Sequence, residues 1–396
     1  MSQAVAITGA GCLCAAGMNL EEAFAAMLSG VRNPQPPKAF RSDLADKAPV
    51  FEIRAALPVS GNDADLLRTT RLAIYAADAA LADAALDIEQ MRGLKVGVCI
   101  GTTVGSAMNN EDFYREFRAG GEPSLAPIKR YLRSNPAAAL ARHYRLDGPC
   151  QVVVNACSSG TDAIGLGASW IRSGVCDIAL VGGADELCRT TYNGFASLMI
   201  ADSAPCKPFD VRRRGLNLGE GAGLLILESS ASLTRRGKVP HGFVLGYGSA
   251  TDAYHLTAPH PEGRGLRRAL TETLATAGVA AEELAFINAH GTGTVDNDRV
   301  ECRVLAERFP NIPFLSTKGY TGHTLGAAGA IEAAISLVCL KHGKLPASAG
   351  FSMQDPQLPA CPVSVITPIA GPFALSESLA FGGNNSAVLI GLEVPR

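Results

Sequence analysis

Asn155-Ala156-Cys157-Ser158-Ser159-Gly160, following the run Val152-Val153-Val154, is the stretch on which the reading of this chain turns. Valines leading into a turn of small residues predict a buried strand that ends where a helix begins, here a helix over Asp162–Ser173. The same frame returns as Asn288-Ala289-His290-Gly291-Thr292-Gly293 after Ala285-Phe286-Ile287. Asn, Ala and Gly keep their places, and the Cys of the first copy is a His in the second. An internal duplication is the natural reading. Two such turns would aim a Cys and a His from opposite halves at one site.

Working outward, apolar strands alternate with Ala-rich helices, the α/β pattern. Val5–Thr8, Val96–Ile100, Val152–Asn155, Ile178–Val181 and Leu224–Leu227 read as strands. Most are nearly continuous in Val, Ile or Leu, as strands covered on both faces are. Leu20–Leu28, Arg71–Leu86 and Pro136–Tyr144 read as helices, and Arg32–Asp65 as surface loop. The pattern restarts after Arg235-Arg236-Gly237, with strands at His241–Gly248, Leu284–Asn288 and Ala387–Leu392 and helices at Gly263–Gly278 and Ile331–Leu340. The expected division is therefore 1–240, carrying Cys157, and 241–396, carrying His290 and His323.

Composition narrows the function. With 47% hydrophobic and 18% charged residues the chain is expected to fold compactly. A net charge of −2 argues against nucleic acid as the main partner. No positive region precedes the first apolar run and no uncharged run is long enough to span a bilayer, so a cytoplasmic protein is expected. The 11 cysteines form no Cys-x-x-Cys pair and no zinc spacing, so neither a disulfide framework nor a metal site is expected.

Four elements could carry chemistry. Cys157, between a strand end and a helix N-terminus, would gain from the helix dipole, and backbone N–H groups of its turn could hold an oxyanion; the plain alternative is a buried structural cysteine. His290, among Gly291, Thr292, Gly293 and Thr294, is either a working or a satisfied core histidine. Ser316-Thr317-Lys318-Gly319-Tyr320-Thr321-Gly322-His323 brings two basic side chains to a helix dense in Gly and Ala; a surface Lys beside a capping His is the alternative. Phe381-Gly382-Gly383-Asn384-Asn385 suggests a tight turn that could lend a backbone N–H to a site. Gly9-Ala10-Gly11 lacks the third glycine of a dinucleotide loop, and Gly219-Glu220-Gly221-Ala222-Gly223 precedes a strand rather than a helix, so both fail as nucleotide motifs.

Together these motifs, with Pro208-Phe209-Asp210 and Asp252-Ala253-Tyr254-His255, resemble the β-ketoacyl-acyl carrier protein synthases of the elongating Cys-His-His type. The resemblance runs from Val5 to Gly391. It implies a duplicated thiolase-like fold, five layers α-β-α-β-α with two mixed sheets. It also implies 3-oxoacyl-carrier-protein synthase activity, most like synthase II: acyl transfer to Cys157, then decarboxylative condensation with malonyl-carrier protein. On this resemblance His290 and His323 assist decarboxylation, Lys318 holds their network with Glu332, and Phe381 serves the oxyanion hole and gate. Thr257, Thr292 and Thr294 contact the pantetheine arm. The protein would need no cofactor of its own, since phosphopantetheine arrives on the carrier. Implied partners are the acyl- and malonyl-carrier proteins and a second copy in a homodimer, or a related subunit in a heterodimer. Arg68 with Arg71, Lys129 with Arg130 and Arg133, and Arg212 to Arg214 are candidate basic patches for an acidic carrier, and Val104 a candidate for the acyl channel.

The departures lie near the gate. The elongating synthases carry His-Gly-Thr-Ser-Thr-Pro where this chain has Gly293 and Val295. Their Asn-Ser-Phe-Gly is here Glu377-Ser378-Leu379-Ala380, and Asn384 replaces a Thr. These changes spare Cys157, His290 and His323, and point to a specialised, polyketide-like or aryl polyene-like pathway. A non-catalytic chain-length-factor-like partner subunit is the alternative. A nucleotide-binding oxidoreductase would need the Gly9–Ala15 loop to hold a cofactor.

Overall fold

The computed structural model describes residues 4–44, 48–58 and 65–395; within the expected loop Arg32–Asp65, positions 45–47 and 59–64 lie outside the described residues. The first half contributes β1 (Val5–Cys14), β2 (Val96–Gly101), β3 (Cys150–Val153), β4 (Ile178–Asp185) and β5 (Gly221–Glu228). The second contributes β6 (Gly242–Thr251), β7 (Leu284–Asn288), β8 (Phe314–Leu315), β11 (Phe373–Ala380) and β12 (Asn384–Gly391), with β9 (Lys344–Leu345) and β10 (Thr367–Pro368) forming a small separate ladder. The large sheet runs β3-β2-β4-β5-β1-β6-β12-β11-β7-β8. Counted within its own half and read inward from its outer edge, each set gives the order third, second, fourth, fifth, first. The fifth strand is antiparallel to both its neighbours in each half. Thus the six-residue echo belongs to a repeat of whole topology.

The two expected sheets do not end separately. Val5, Ala6 and Ile7 of β1 pair with Val244, Phe243 and Gly242 of β6, so the halves run on into one ten-stranded sheet. The layering is the one expected. Helix Arg68–Ala84 covers β1, β4 and β5, and helix Arg264–Ala277 covers β6 and β12. Helices Ser159–Arg172 and Ala328–His342 touch each other and strands of both halves, forming the central layer. Ala328–His342 is buried all round from Ala328 to Leu340, the pattern of a core helix. Its stretch from Leu325 is, among the described residues, the one long and apolar enough to cross a membrane, and it lies inside the fold.

Small residues allow such close layers. A Cβ added at Gly9 or Gly11 would sit 2.1 Å from the carbonyl oxygen of Ala80 or Ala76, so strand and helix touch backbone to backbone. That is why Gly9-Ala10-Gly11 looks like a nucleotide loop and is not one.

One sequence expectation fails here. The Val152–Asn155 run was expected as a strand covered on both faces, but β3 is a sheet edge whose Cys150 and Gln151 are exposed, as is Val154 just beyond. Nothing among the described residues packs beyond it. Helices Glu111–Arg118 and Ala126–Arg133 escaped the sequence reading because neither buries a single residue. Strand β11 escaped it because Ser376-Glu377-Ser378 interrupts an otherwise apolar run, although all three are fully buried.

Candidate active site

The first turn places Cys157 by tension and hydrogen bonds. Ala156, just before it, adopts a left-handed φ of 50°, a strained conformation for a residue with a Cβ. The turn is held shut by Asn155 N–H donating to Ser159 Oγ at 2.8 Å, and by Asn155 Nδ2 and Ser158 Oγ donating to Asp162 at 2.6 and 2.8 Å. Gly160 then lets helix Ser159–Arg172 meet the second central helix, since a Cβ there would lie 2.7 Å from the Gly326 carbonyl oxygen. Cys157 is left buried at the helix start.

The second turn places His290. Its backbone N–H and that of Gly291 donate to the two oxygens of Glu301 at 2.5 and 2.8 Å, and Gly293 N–H donates to Asp298 at 3.1 Å. Both acids sit on helix Val295–Arg308 and are fully buried. His323 comes from a third segment. Its backbone N–H donates to Asn217 O at 2.8 Å, and its carbonyl accepts from Gly219 N–H at 3.0 Å. The glycine-rich stretch before β5 therefore clasps a histidine rather than a nucleotide.

These elements meet. His323 Nε2 lies 3.0 Å from Cys157 Sγ, and the His290 and His323 rings stand edge to face with centroids 5.2 Å apart. Lys318 Nζ is 3.1 Å from His290 Nδ1 and 2.5 Å from Glu332 Oε1, all three side chains being buried. An ammonium can only donate, so His290 Nδ1 accepts and its proton sits on Nε2. Burial, helped by the Lys318 charge, holds both histidines well below the usual imidazole range, so both rings are neutral.

Cys157 departs from expectation. Burial pushes its thiol up to about 11, outweighing the lowering by Lys318 and by the N–H of Phe381. The helix dipole was expected to win; taking the sulfur out of water costs the thiolate more than the helix end returns. At rest the thiol keeps its proton, with His323 Nε2 placed to receive it. Alkylation of Cys157 by iodoacetamide should accordingly quicken about ten-fold per pH unit from about pH 7 to pH 10. A rate flat over that window would mean a resting thiolate.

Phe381 N–H is directed at Cys157 Sγ, and the Phe381 ring stacks on Phe195 at 5.3 Å, which in turn stands edge-on to His323. Gly382 and Gly383 follow with φ of 85° and 79°, and Gly382 N–H donates to Leu256 O at 2.8 Å. Cys157, His290 and His323 line a cleft of about 270 Å³ together with Thr257, Thr292, Thr294 and Phe381. Thr292 and Thr294 are joined through their hydroxyls at 2.9 Å. Every expected site residue is thus in or directly behind one cleft. Lys318 and Glu332 stand behind it.

The basic patches are sorted by their partners. Arg68 is clamped on the buried Glu220 at 2.6 and 2.8 Å, and Arg213 is buried against Asp355 at 2.6 Å. Arg212 is turned onto Asp210. Arg68 and Arg213 are thus held by inward carboxylates, whereas Arg212 stays exposed although it is paired with Asp210. Arg214 is exposed and lines the cleft, while Lys129 and Arg133 are exposed on helix Ala126–Arg133. Val104 is half-buried and does not line the cleft.

Sequence reasoning missed Glu301, Asp298, Asn217 and Phe195. For the two acids a signal existed: Asp and Glu in the first turns of a helix that follows a glycine-rich turn are natural acceptors for its N–H groups. Asn217 acts through its backbone, and Phe195 through its place in space, so neither had one.

The chain matches known proteins along most of its length. Residues 2–232 match the family model for the N-terminal domain of beta-ketoacyl synthase, and residues 241–352 that for its C-terminal domain. A curated relative, 3-oxoacyl-[acyl-carrier-protein] synthase 2 of Synechocystis, is 32% identical over 405 residues, covering 96% of each chain. Among solved structures, the ishigamide ketosynthase/chain length factor superposes with a TM-score of 0.92 at 31% identity, covering 99% of both chains. The ketosynthase ApeO in complex with its chain length factor ApeC, from Xenorhabdus doucetiae, gives 0.86 at 31% identity, covering 99% of this chain and 98% of that one.

Proposed function

The chain belongs to the beta-ketoacyl synthase family, and from that premise we propose that it is an elongating 3-oxoacyl-carrier-protein synthase working through Cys157, His290 and His323. The observation that carries the reading is the contact of Cys157 Sγ with His323 Nε2, backed by the Lys318–His290 pair.

In the first half-reaction Cys157 Sγ attacks the thioester carbonyl of the acyl-carrier while its proton passes to His323. The developing oxyanion accepts the backbone N–H groups of Cys157 and Phe381, and the pantetheine thiol leaves with the proton. His323 Nδ1 has no hydrogen-bond partner among the described residues, which leaves the ring free to carry its proton on either nitrogen. In the second half-reaction the malonyl group loses carbon dioxide. The enolate oxygen accepts Nε2–H of His290 and, in its other tautomer, of His323. The carbanion then attacks the acyl carbonyl, and the Cys157 thiolate leaves. Neutral imidazoles suit this role because they donate without protonating the carbanion. No redox group enters such a sequence.

The test separates the halves. His290→Ala should retain acylation of Cys157 yet lose malonyl decarboxylation by about 10²–10³-fold, the usual cost of one oxyanion donor. His323→Ala should slow both. A His290 variant that decarboxylates normally would remove that residue from the mechanism.

We also assign the chain a second ketosynthase-fold partner, whether its own copy or a chain length factor. The open edge of β3, the exposed Val154, and Tyr114, Phe117, Leu125 and Leu132 on two helices without buried residues support this. The presence of all three reactive side chains speaks against the chain being the non-catalytic subunit itself. The polar run Glu377-Ser378 and Leu379-Ala380 before the gate supports a specialised pathway over a housekeeping one.

A further inference from the structure

Asp185 ends β4 and is buried, yet every group that donates to it is neutral. Its Oδ1 accepts Thr102 Oγ1 at 2.7 Å. Its Oδ2 accepts Thr103 N–H and Thr103 Oγ1, both at 2.9 Å, and Gly326 N–H at 2.7 Å. Burial pushes the carboxyl up to about 6 and these bonds pull it back, so it is an anion at neutral pH. An anion in a dry core without a cation at its side is costly, and stability alone is a poor reason to keep one. Its donors come from two places that matter differently. Thr102 and Thr103 follow β2, which pairs in parallel with β4, so they are fixed to the sheet. Gly326 lies three residues beyond His323.

Resting on the condensing-enzyme reading above, we propose that Asp185 is a positioning residue for His323: by taking Gly326 N–H it anchors the stretch His323–Gly326 to the ends of β2 and β4, and so holds His323 Nε2 against Cys157 Sγ. The stretch needs an anchor on this side. Ahead of it, His323 is fixed through the Asn217 carbonyl and Gly219 N–H. Behind it, Leu325 adopts a left-handed φ of 54°, a conformation that persists only where its surroundings impose it. The charge-assisted bond from Gly326 is the strong contact next to that residue. The fit around it is tight: a Cβ on Gly326 would lie 2.7 Å from the Thr102 backbone, and one on Gly183 2.3 Å from the Gly326 carbonyl oxygen. Asp185 also acts on Cys157 through its charge, which adds to the effect of burial in raising the thiol. Position and charge therefore make opposite contributions to the nucleophile, and substitution can separate them.

The experiment uses the full chain and two variants, Asp185→Asn and Asp185→Ala, each shown to be folded by its melting curve. Both remove the charge, so alkylation of Cys157 by iodoacetamide at fixed pH should be no slower than in wild type in either. Only Ala removes the anchor. In Asn the amide oxygen can keep Gly326 and Thr103, and the Thr102 hydroxyl can accept from the amide instead of donating. Acylation of Cys157 from an acyl-carrier protein should therefore keep its kcat within about three-fold in Asp185→Asn and fall by about 100-fold in Asp185→Ala, with KM changed by less than about three-fold in both. Independently of turnover, a crystal structure of Asp185→Ala should show His323 Nε2 drawn about 1 Å away from Cys157 Sγ. Should Asp185→Ala not fold, Asp185→Ser takes its place with the same expectations. Wild type that takes no acyl group would sink the proposed function, and the crystal comparison would still decide this inference. The inference is overturned if folded Asp185→Ala acylates at the wild-type kcat, if Asn is as damaging as Ala, if the loss falls on KM, or if His323 stays in place.

Discussion

Cys157→Ala is expected to abolish condensation, lowering it by at least about 10⁴-fold, while leaving the fold in place. The sulfur is the nucleophile held against His323 Nε2 and the Phe381 N–H, and the alanine cannot form the acyl intermediate. The structural cost is small, about 1 kcal/mol for one buried sulfur, because Ala156 and the Asp162 hydrogen bonds that set the turn do not involve the thiol. Decarboxylation of malonyl-carrier should survive in this variant, since His290 and Lys318 are untouched. Loss of decarboxylation together with acylation, from folded protein, would mean that the turn rather than the sulfur had been damaged.

Lys318→Met should have the largest effect on stability. Lys318 and Glu332 are both buried, and Glu332 is the one charged residue in the buried length of the central helix. Removing the ammonium strands a carboxylate in the core, at about 3–5 kcal/mol. Burial already raises the Glu332 carboxyl, and it would rise further without Lys318. The loss should therefore deepen as pH rises and ease in acid, where Glu332 can take up a proton. Lys318→Met with Glu332→Leu should recover most of the urea midpoint, because an apolar pair fills the space without an unpaired charge. It should not recover decarboxylation, since His290 Nδ1 has lost the donor that fixes its tautomer. Recovery of both would reduce the pair to packing.

The sequence revealed these residues unevenly. Cys157, His290, Lys318 and His323 stand in turns of Gly, Ser and Thr, where a reactive side chain is conspicuous, and the fold brings three of them into one cleft with Lys318 directly behind it. The duplication, only suggested by six residues, becomes compelling once both halves repeat one strand order. Glu301 and Asp298 were overlooked although they follow the His290 turn closely and accept its backbone N–H groups. Glu377 stood out only as a departure before the gate, and its full burial on β11 was not legible in a charged residue. The Cys157 acidity was misjudged for a related reason: a helix end is local and visible in sequence, whereas desolvation is the sum of neighbours from the whole chain. The valines before Cys157 mark a strand correctly, but only topology decides that it is an edge.

The central claim is that Cys157 carries the acyl chain, and intact-protein mass spectrometry tests it most directly. The protein is incubated with acyl-carrier proteins of several chain lengths and any adduct is mapped to a peptide. An acyl increment on Cys157, strongest for one length and absent from Cys157→Ala, is the predicted result. Folded protein that acquires no adduct from any donor, or one mapped to another residue, would contradict the account.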